Sequence, residues 1–136
     1  MILLDTSGLL AAIDGSQRFH QACVEALAER NDPLLLSPFV LAEIDYLVST
    51  RIGVKAETAL LTEVARGAFR LEAFDADDVD QARGIIERYA DLGIGLADAS
   101  IVVLAGRHRA RDVLTLARRH FHVLKRPNGR PFRVLP

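Results

Sequence analysis

Three acidic residues stand where hydrophobic segments of the chain end or begin. They are Asp5 in MILLDTSGLLA, Glu43 in PFVLAEIDYLV and Asp98 in GLADASIVVLA. A carboxylate inside an apolar run is costly to bury unless a cation meets it. Three of them in three separate segments predict one acidic cluster that the fold assembles. Because hard divalent cations bind through oxygen ligands, this cluster indicates a metal-dependent enzyme.

The charge of the chain is unevenly divided along its length. Residues 1–106 carry 8 Lys/Arg against 17 Asp/Glu, whereas residues 107–136 carry 9 Lys/Arg with Asp112 as the only acid. A basic block of this kind is typical of a surface that binds a polyanion, although a solvated arginine-rich surface has the same composition. If the basic block lies beside an acidic metal site, a polyanion-binding surface is favoured, because basic residues hold the phosphates that carboxylates repel.

Length and composition predict one globular domain over residues 1–136. Half of the residues are hydrophobic (50%) and a quarter are charged (26%), which is the balance of a protein with a real core rather than a disordered chain. No apolar run is long enough to cross a bilayer, so we expect no membrane association. The first residues lack a secretory signal, and Cys23 has no second cysteine to pair with. We therefore expect a cytoplasmic protein.

Segments typical of strands alternate with segments typical of helices. We predict strands over 2–5, 34–37, 112–116, 122–125 and 132–135, and either a strand or an extended connection over 69–74. Helices are predicted from residue 7 and over 17–30, 39–51, 55–66, 75–91 and 96–107. Such alternation indicates βαβ units, and hence a three-layer α/β/α domain with a central, mainly parallel sheet. In folds of this class the site lies at the carboxyl ends of the strands, where Asp5 and Asp98 are expected to meet.

Four motifs, in this order, resemble the PIN domain: DTS near the N-terminus, VLAEIDYL, LADASIVVLA and VLTLARRHF. The last is similar to the strand-and-turn segment of that family, whose usual form is close to TxD followed by basic residues and Phe. The resemblance covers essentially the whole chain. It is closest to the VapC-like toxins, which are small bacterial endoribonucleases of type II toxin–antitoxin modules. It implies the PIN-like version of the predicted fold.

The resemblance also implies a role for the acidic residues. Asp5, Glu43 and Asp98 correspond to the catalytic residues that bind Mg²⁺ or Mn²⁺ in the family. Carboxylates held close together raise one another's pKa, and a divalent ion removes that repulsion. The ion also activates water and stabilises charge at a scissile phosphate, and one or two ions can be bound, depending on the number of ligands.

Two further groups of residues adjoin these motifs. Hydroxyl groups are candidates to orient the carboxylates or a metal-bound water, with helix capping or an ordinary strand hydroxyl as the alternative: Thr6, Ser7 and Thr115. Basic residues directly after position 117 are candidates for RNA phosphate contacts, with a solvated turn as the alternative: Arg118, Arg119 and His120.

Ala117 departs from the family pattern, since the resemblance puts an aspartate there as the fourth acid of the site. A methyl group binds no cation, so a second metal position and full activity are in question. Two explanations are open: an engineered change that disables a toxic nuclease, or natural divergence toward a one-metal or weakened enzyme. The intact motif around the alanine favours the first.

The leading hypothesis is a metal-dependent endoribonuclease toxin that cleaves structured RNA, such as a loop of tRNA or rRNA. The resemblance adds an antitoxin partner that neutralises it and a homodimer. The alternative is a non-catalytic PIN-like domain that binds RNA or the antitoxin. A phosphoacceptor receiver domain is disfavoured, because it needs adjacent acids after the first strand and a late lysine, and no lysine lies between Lys55 and Lys125.

Overall fold

The computed structural model describes residues 1–136. The strands are β1 Ile2–Leu4, β2 Leu34–Leu36, β3 Arg70–Leu71, β4 Asp112–Leu114 and β5 Arg133–Leu135. The helices are α1 Thr6–Ile13, α2 His20–Ala28, α3 Pro38–Arg51, α4 Val54–Ala65, α5 Ala76–Arg88, α6 Leu96–His108 and α7 Arg118–Val123. None of these helices combines the length and the apolar character needed to span a bilayer.

The five strands form one sheet in the order β3-β2-β1-β4-β5, and every pair of neighbouring strands is parallel. Helices flank this sheet, which confirms the predicted three-layer α/β/α fold. The central strand β1 is completely buried, as its continuous apolar sequence requires in a sheet that is covered on both faces. Because all strands run the same way, the residues that follow β1 and β4 lie at the same edge of the sheet.

A single cluster of 28 buried residues fills the space between the sheet and the helices. Helix α6 contributes an almost continuous buried run from Ala99 to Ala105, so it lies in the interior rather than on the surface. Beside β5, at one edge of the strand order, the rings of Phe121 and Phe132 meet edge to face, with their centroids 5.5 Å apart. This contact joins α7 to the segment that leads into β5.

Two helices begin at residues whose side chains cap them. Ser37 accepts a hydrogen bond from the backbone N–H of Phe39 and is followed by Pro38 at the first helical position of α3. Asp75 and Asp78 form a reciprocal capping box at the start of α5. Both caps satisfy backbone donors that the first turn of a helix leaves without partners.

The strand predicted over 122–125 is wrong, because helix α7 continues to Val123 and only Lys125 forms a β-bridge, with Pro131. The carbonyl of Ala117 accepts hydrogen bonds from the N–H groups of His120 and Phe121, which starts a helical turn. Phe121 and Leu124 are then both completely buried, and their spacing of three residues suits a helical face. A strand would alternate its side chains and send one of these two residues to solvent.

A buried carboxylate anchors the start of β4. Asp112 is 6% exposed, and Arg133 binds both of its oxygens, with Nε–Oδ1 and Nη2–Oδ2 distances of 2.7 and 2.6 Å. Arg30, which follows α2, also contacts Oδ2. Burial alone would raise the pKa of Asp112, but the hydrogen bonds from Arg133 and Arg30 outweigh it and hold this pKa below its ordinary value. One carboxylate therefore joins α2, β4 and β5.

We predict that Asp112→Asn lowers the free energy of unfolding by roughly 1–3 kcal/mol at neutral pH, because two arginines lose their anion in a buried site. A lowered carboxyl pKa stabilises the fold above the unfolded-state pKa, and that contribution is lost as the pH falls through the folded-state pKa. The difference in unfolding free energy between the parent and Asp112→Asn should therefore shrink in acid. Urea denaturation at several pH values measures this difference. Asp80→Asn, at an exposed ion pair with Arg83, should change little. Equal losses in both variants would contradict this account.

Candidate active site

Asp5 lies directly after β1, where it precedes α1 with an extended backbone, and it is 5% exposed. One of its oxygens, Oδ2, accepts two hydrogen bonds, from the hydroxyl of Ser7 at 2.8 Å and from the hydroxyl of Thr115 at 2.6 Å. The other oxygen, Oδ1, accepts none from the protein. The carboxylate is therefore fixed on one side and open on the other.

The two hydroxyl groups around Asp5 are held in a defined direction. Ser7 Oγ accepts the backbone N–H of Leu116 at 3.0 Å, and Thr115 Oγ1 accepts the backbone N–H of Ala117 at 2.9 Å. Because each hydroxyl accepts from the backbone, its own proton is free to be donated to Asp5. The segment after β4 thus orients a carboxylate that follows β1.

Gly8 allows this network to form, although nothing in the sequence motifs drew attention to it. A Cβ atom at this position would lie 2.4 Å from the carbonyl oxygen of Leu114, so only glycine permits α1 to approach the end of β4 this closely. The close approach leaves Ser7 Oγ 3.3 Å from Thr115 Oγ1. The glycine that follows DTS in the sequence is the signal that could have identified it.

Glu43 reaches the same region from α3, and it is more exposed than Asp5. The hydroxyl of Thr6, the first residue of α1, donates to Glu43 Oε2 at 2.7 Å. The second oxygen, Oε1, has no hydrogen-bond partner in the protein. Glu43 also lines a shallow recess of about 460 Å³ together with Tyr46 and Leu47. The glutamate is thus directed by a residue adjacent to Asp5.

Asp98 lies in the first turn of α6, and its Oδ2 is 3.0 Å from Nδ1 of His120 in α7. Burial and the negative charge of Asp5 raise the pKa of Asp98 to about 6, and the charge of Glu43 adds to this, while His120 partly opposes it. The negative charges of Asp5 and Glu43 therefore both act on the carboxyl of Asp98.

The three carboxylates share one arrangement: each has one oxygen bonded to the protein and one oxygen left open. No three His, Cys, Asp or Glu side chains are gathered closely enough to form a ready-made ligand set for a metal ion. The reason is visible in the contacts, because each carboxylate is drawn to a different hydroxyl or imidazole partner. In donor chemistry the set suits a hard cation such as Mg²⁺ or Mn²⁺, and Asp5, Glu43 and Asp98 are the residues that could hold one.

Ala117 occupies the N-cap position of α7, at the same edge of the sheet, and its side chain supplies no capping hydrogen bond. Its backbone N–H is bonded to Thr115 Oγ1, the same hydroxyl that donates to Asp5. An aspartate is among the best N-cap residues, whereas alanine is among the poorest. An acid at this position would therefore serve the helix as well as the carboxylate cluster.

The three basic residues expected to contact phosphates have different surroundings. Arg118 donates through Nη2 to the carbonyl of Pro136 at 3.0 Å, and His120 is engaged with Asp98. Arg119 is exposed and has no acidic partner. Sequence reasoning missed the His120–Asp98 contact, whose only signal was a histidine one helical turn after position 117.

Comparison with known families and proteins adds an independent result. The family model described as the PIN domain matches residues 2–125. The chain is 47% identical over 135 residues to the protein named Ribonuclease VapC26 of Mycobacterium tuberculosis. The alignment covers 99% of this chain and 100% of that protein.

Solved structures share the fold at lower sequence identity. The VapC20 toxin of Mycobacterium tuberculosis, described as cleaving the sarcin-ricin loop, superposes with a TM-score of 0.79 at 22% identity, covering 85% of this chain and 89% of that one. VapBC2 of Rickettsia felis, bound to a promoter DNA fragment, superposes with a TM-score of 0.70 at 23% identity, and the superposition covers 100% of both chains. The DNA-bound VapBC of Salmonella typhimurium gives 0.67 at 18% identity, covering 98% and 96%. At these identities the similarity establishes the fold.

The raised pKa of Asp98 gives a testable consequence for stability. In the metal-free protein the ionised carboxyl destabilises the fold at pH values above about 6, and this penalty disappears below the ordinary value of 3.8. Asp98→Asn should therefore raise the unfolding free energy at neutral pH by roughly 1–2 kcal/mol, since the site is partly open to solvent. The gain should vanish toward pH 4. Thermal denaturation in EDTA across this range measures it.

Asp91→Asn, an exposed position in the turn before α6, serves as the matched control and should leave stability unchanged at every pH. If Asp98→Asn were destabilising at neutral pH in EDTA, the repulsion described for this site would not exist.

Proposed function

This chain belongs to the PIN-domain family, and we propose that it is a metal-dependent endoribonuclease toxin of the VapC type. The observation that carries the proposal is that Asp5, Glu43 and Asp98, from three separate elements, each keep one open oxygen, and that the charges of Asp5 and Glu43 act on Asp98. Full-length similarity to a protein named as a ribonuclease supports the reaction class. Mg²⁺ and Mn²⁺ are the cofactors that suit an all-oxygen donor set.

In this proposal each protein group has a distinct role. A bound divalent cation would supply charge stabilisation at the scissile phosphate and lower the pKa of an attacking water. Ser7 and Thr115 hold one oxygen of Asp5, so that the other is presented in a fixed direction. Thr6 does the same for Glu43. These groups let the carboxylates keep their positions despite their mutual repulsion.

We propose that the substrate is structured RNA. Carboxylates repel phosphates, so an RNA strand needs cations beside the acidic cluster, and the start of α7 supplies Arg118, Arg119 and His120. RNA loops present splayed nucleotides and accessible phosphates, which favours a loop of tRNA or rRNA over a continuous duplex. The VapC20 toxin, which shares this fold, is described as cleaving the sarcin-ricin loop. This description supports an RNA loop as the substrate proposed for this chain.

An antitoxin partner belongs to the same proposal, because similar folds are found in VapBC and FitAB complexes. The chain offers a suitable surface in an apolar groove of about 370 Å³ between α1, α3 and α4, where Ile13, Ile52 and Phe69 are among the lining residues. A homodimer and a location in the bacterial cytoplasm complete the proposal.

A second candidate function is a PIN-like domain that binds RNA or the antitoxin without cleaving RNA. Ala117 is the observation that favours it, because this position adds no carboxylate to the three that are present. The two candidates differ in a measurable way. A nuclease with three acids should retain some metal-dependent turnover, and a binding domain should have none.

We predict that Ala117→Asp raises metal-dependent cleavage of total bacterial RNA by at least about tenfold, because a fourth carboxylate strengthens metal binding and caps α7. Asp5→Asn should abolish cleavage by either form. Discrete fragments on a denaturing gel, formed with Mg²⁺ or Mn²⁺ and absent in EDTA, are the measurement. RNA that is bound but cut by neither the parent nor Ala117→Asp would establish the non-catalytic domain instead.

A further inference from the structure

We propose that a second RNA-binding surface lies away from the carboxylates, on the turn formed by residues 125–131 together with Arg109 and Arg88. We call residues 125–131 the basic hairpin. The inference rests on the proposed function, because it assigns this surface to the phosphates of the same RNA substrate. Its support comes from the rigidity, the unpaired charge and the position of these residues.

The backbone of the basic hairpin is rigidly held. Lys125 and Pro131 form an antiparallel bridge, and the N–H of Arg126 donates to the carbonyl of Arg130 at 3.0 Å. Gly129 closes the turn with a φ of 81°, and its N–H donates to the carbonyl of Arg126 at 2.8 Å. Arg126 also donates through Nε to the carbonyl of Pro131 at 3.1 Å, which leaves its two terminal nitrogens free. The cations are thus presented at little further cost in entropy.

The basic hairpin is exposed at its tip and is anchored to the helical layer at two points. Pro127 packs on Gly106 of α6, where a Cβ atom would lie 2.7 Å from Pro127 Cγ. At the base of the hairpin the N–H of Lys125 donates to the hydroxyl of Tyr89 at 3.2 Å. These contacts fix the position of the hairpin relative to α5 and α6.

The charge of this surface is not compensated by acidic residues. Elsewhere in the C-terminal basic block Arg107, Arg111 and Arg133 each form an ion pair with a carboxylate. No such pair involves the cations of the proposed surface: Arg88, Arg109, Lys125, Arg126 and Arg130. Uncompensated cations on one face create a positive potential that attracts a polyanion.

Two recesses lie side by side on this surface. The first, of about 400 Å³, is lined by Arg109, Arg126 and Asn128, and the second, of about 310 Å³, by Arg88, Lys125 and Arg126. Because Arg126 contributes to both, neighbouring phosphates of one strand could be held on its two sides. Arginine suits this task, since its planar guanidinium binds phosphate oxygens in pairs.

Topology separates this surface from the carboxylates. The basic hairpin directly precedes β5, and Arg109 shortly precedes β4, so both lie at the edge where the parallel strands begin. The carboxylates lie at the opposite edge, and the distance along α6 from Asp98 to Gly106 is about 12 Å. An RNA that occupies both places must be folded or several nucleotides long. The family match ends at Lys125, so most of the hairpin lies outside the segment that defines the family.

The test measures the binding of labelled bulk transfer RNA by fluorescence anisotropy over a range of salt concentrations. EDTA is present, so no metal-dependent cleavage occurs. The substitutions combined in the test variant are Arg109→Gln, Arg126→Gln and Arg130→Gln. We expect affinity to fall by at least about tenfold and the salt slope to become shallower by about two, because phosphate contacts are lost. The double variant Arg109→Gln/Arg130→Gln keeps Arg126 and its hydrogen bond to Pro131. Its affinity for RNA should fall as well, but by less, which excludes collapse of the hairpin as the cause.

A matched control removes three exposed cations at or beside the ends of α3 and α4: Arg51→Gln, Lys55→Gln and Arg66→Gln. It should bind transfer RNA like the parent. Unchanged RNA binding in the test variant, or equal weakening in test and control variants, would overturn the proposal. Hairpin-dependent binding of polyglutamate in place of RNA would also overturn it and indicate an acidic protein partner. Binding in EDTA is independent of turnover, so a failure of the nuclease assay would be recognised separately.

Discussion

Repulsion among three carboxylates at one edge of a parallel sheet is the constraint on which the local structure depends. Burial and the charge of Asp5 raise the pKa of Asp98 to about 6, and Glu43 adds to the effect. No lysine or arginine forms an ion pair with any of the three, and His120 is the only basic side chain in contact with them. In the proposed function, this uncompensated negative charge would attract a divalent cation.

Hydroxyl groups make that arrangement possible, and the sheet topology places them. Because β1 and β4 are adjacent and parallel, Thr115 emerges beside Asp5, and Gly8 removes the side chain that would separate them. A second group of cations is kept at a distance from the carboxylates. The basic hairpin lies at the opposite edge of the sheet, so positive and negative surfaces do not neutralise each other. In the proposed function, RNA and a divalent cation would be attracted to separate places.

Much of the fold could be predicted from the sequence, because buried parallel strands and capped helices leave strong local patterns. Segment 122–125 could not, since its β-branched and apolar residues suit a strand, and only the burial of Phe121 and Leu124 selects a helix. In the site, the positions of Asp5 and Asp98 at one edge followed from strand direction. The hydrogen bond between Thr6 and Glu43 did not, because it depends on how α1 and α3 pack.

The central claim is that Asp5, Glu43 and Asp98 act together as ligands of one divalent site. Anomalous scattering from a crystal grown with Mn²⁺ tests it most directly, because the signal locates the ion without reference to activity. The account predicts an ion in contact with the open oxygens of Asp5 and Asp98, with Glu43 drawn toward it. An ion bound only elsewhere, such as at the acidic start of α5, or three carboxylates unchanged at saturating Mn²⁺, would contradict it.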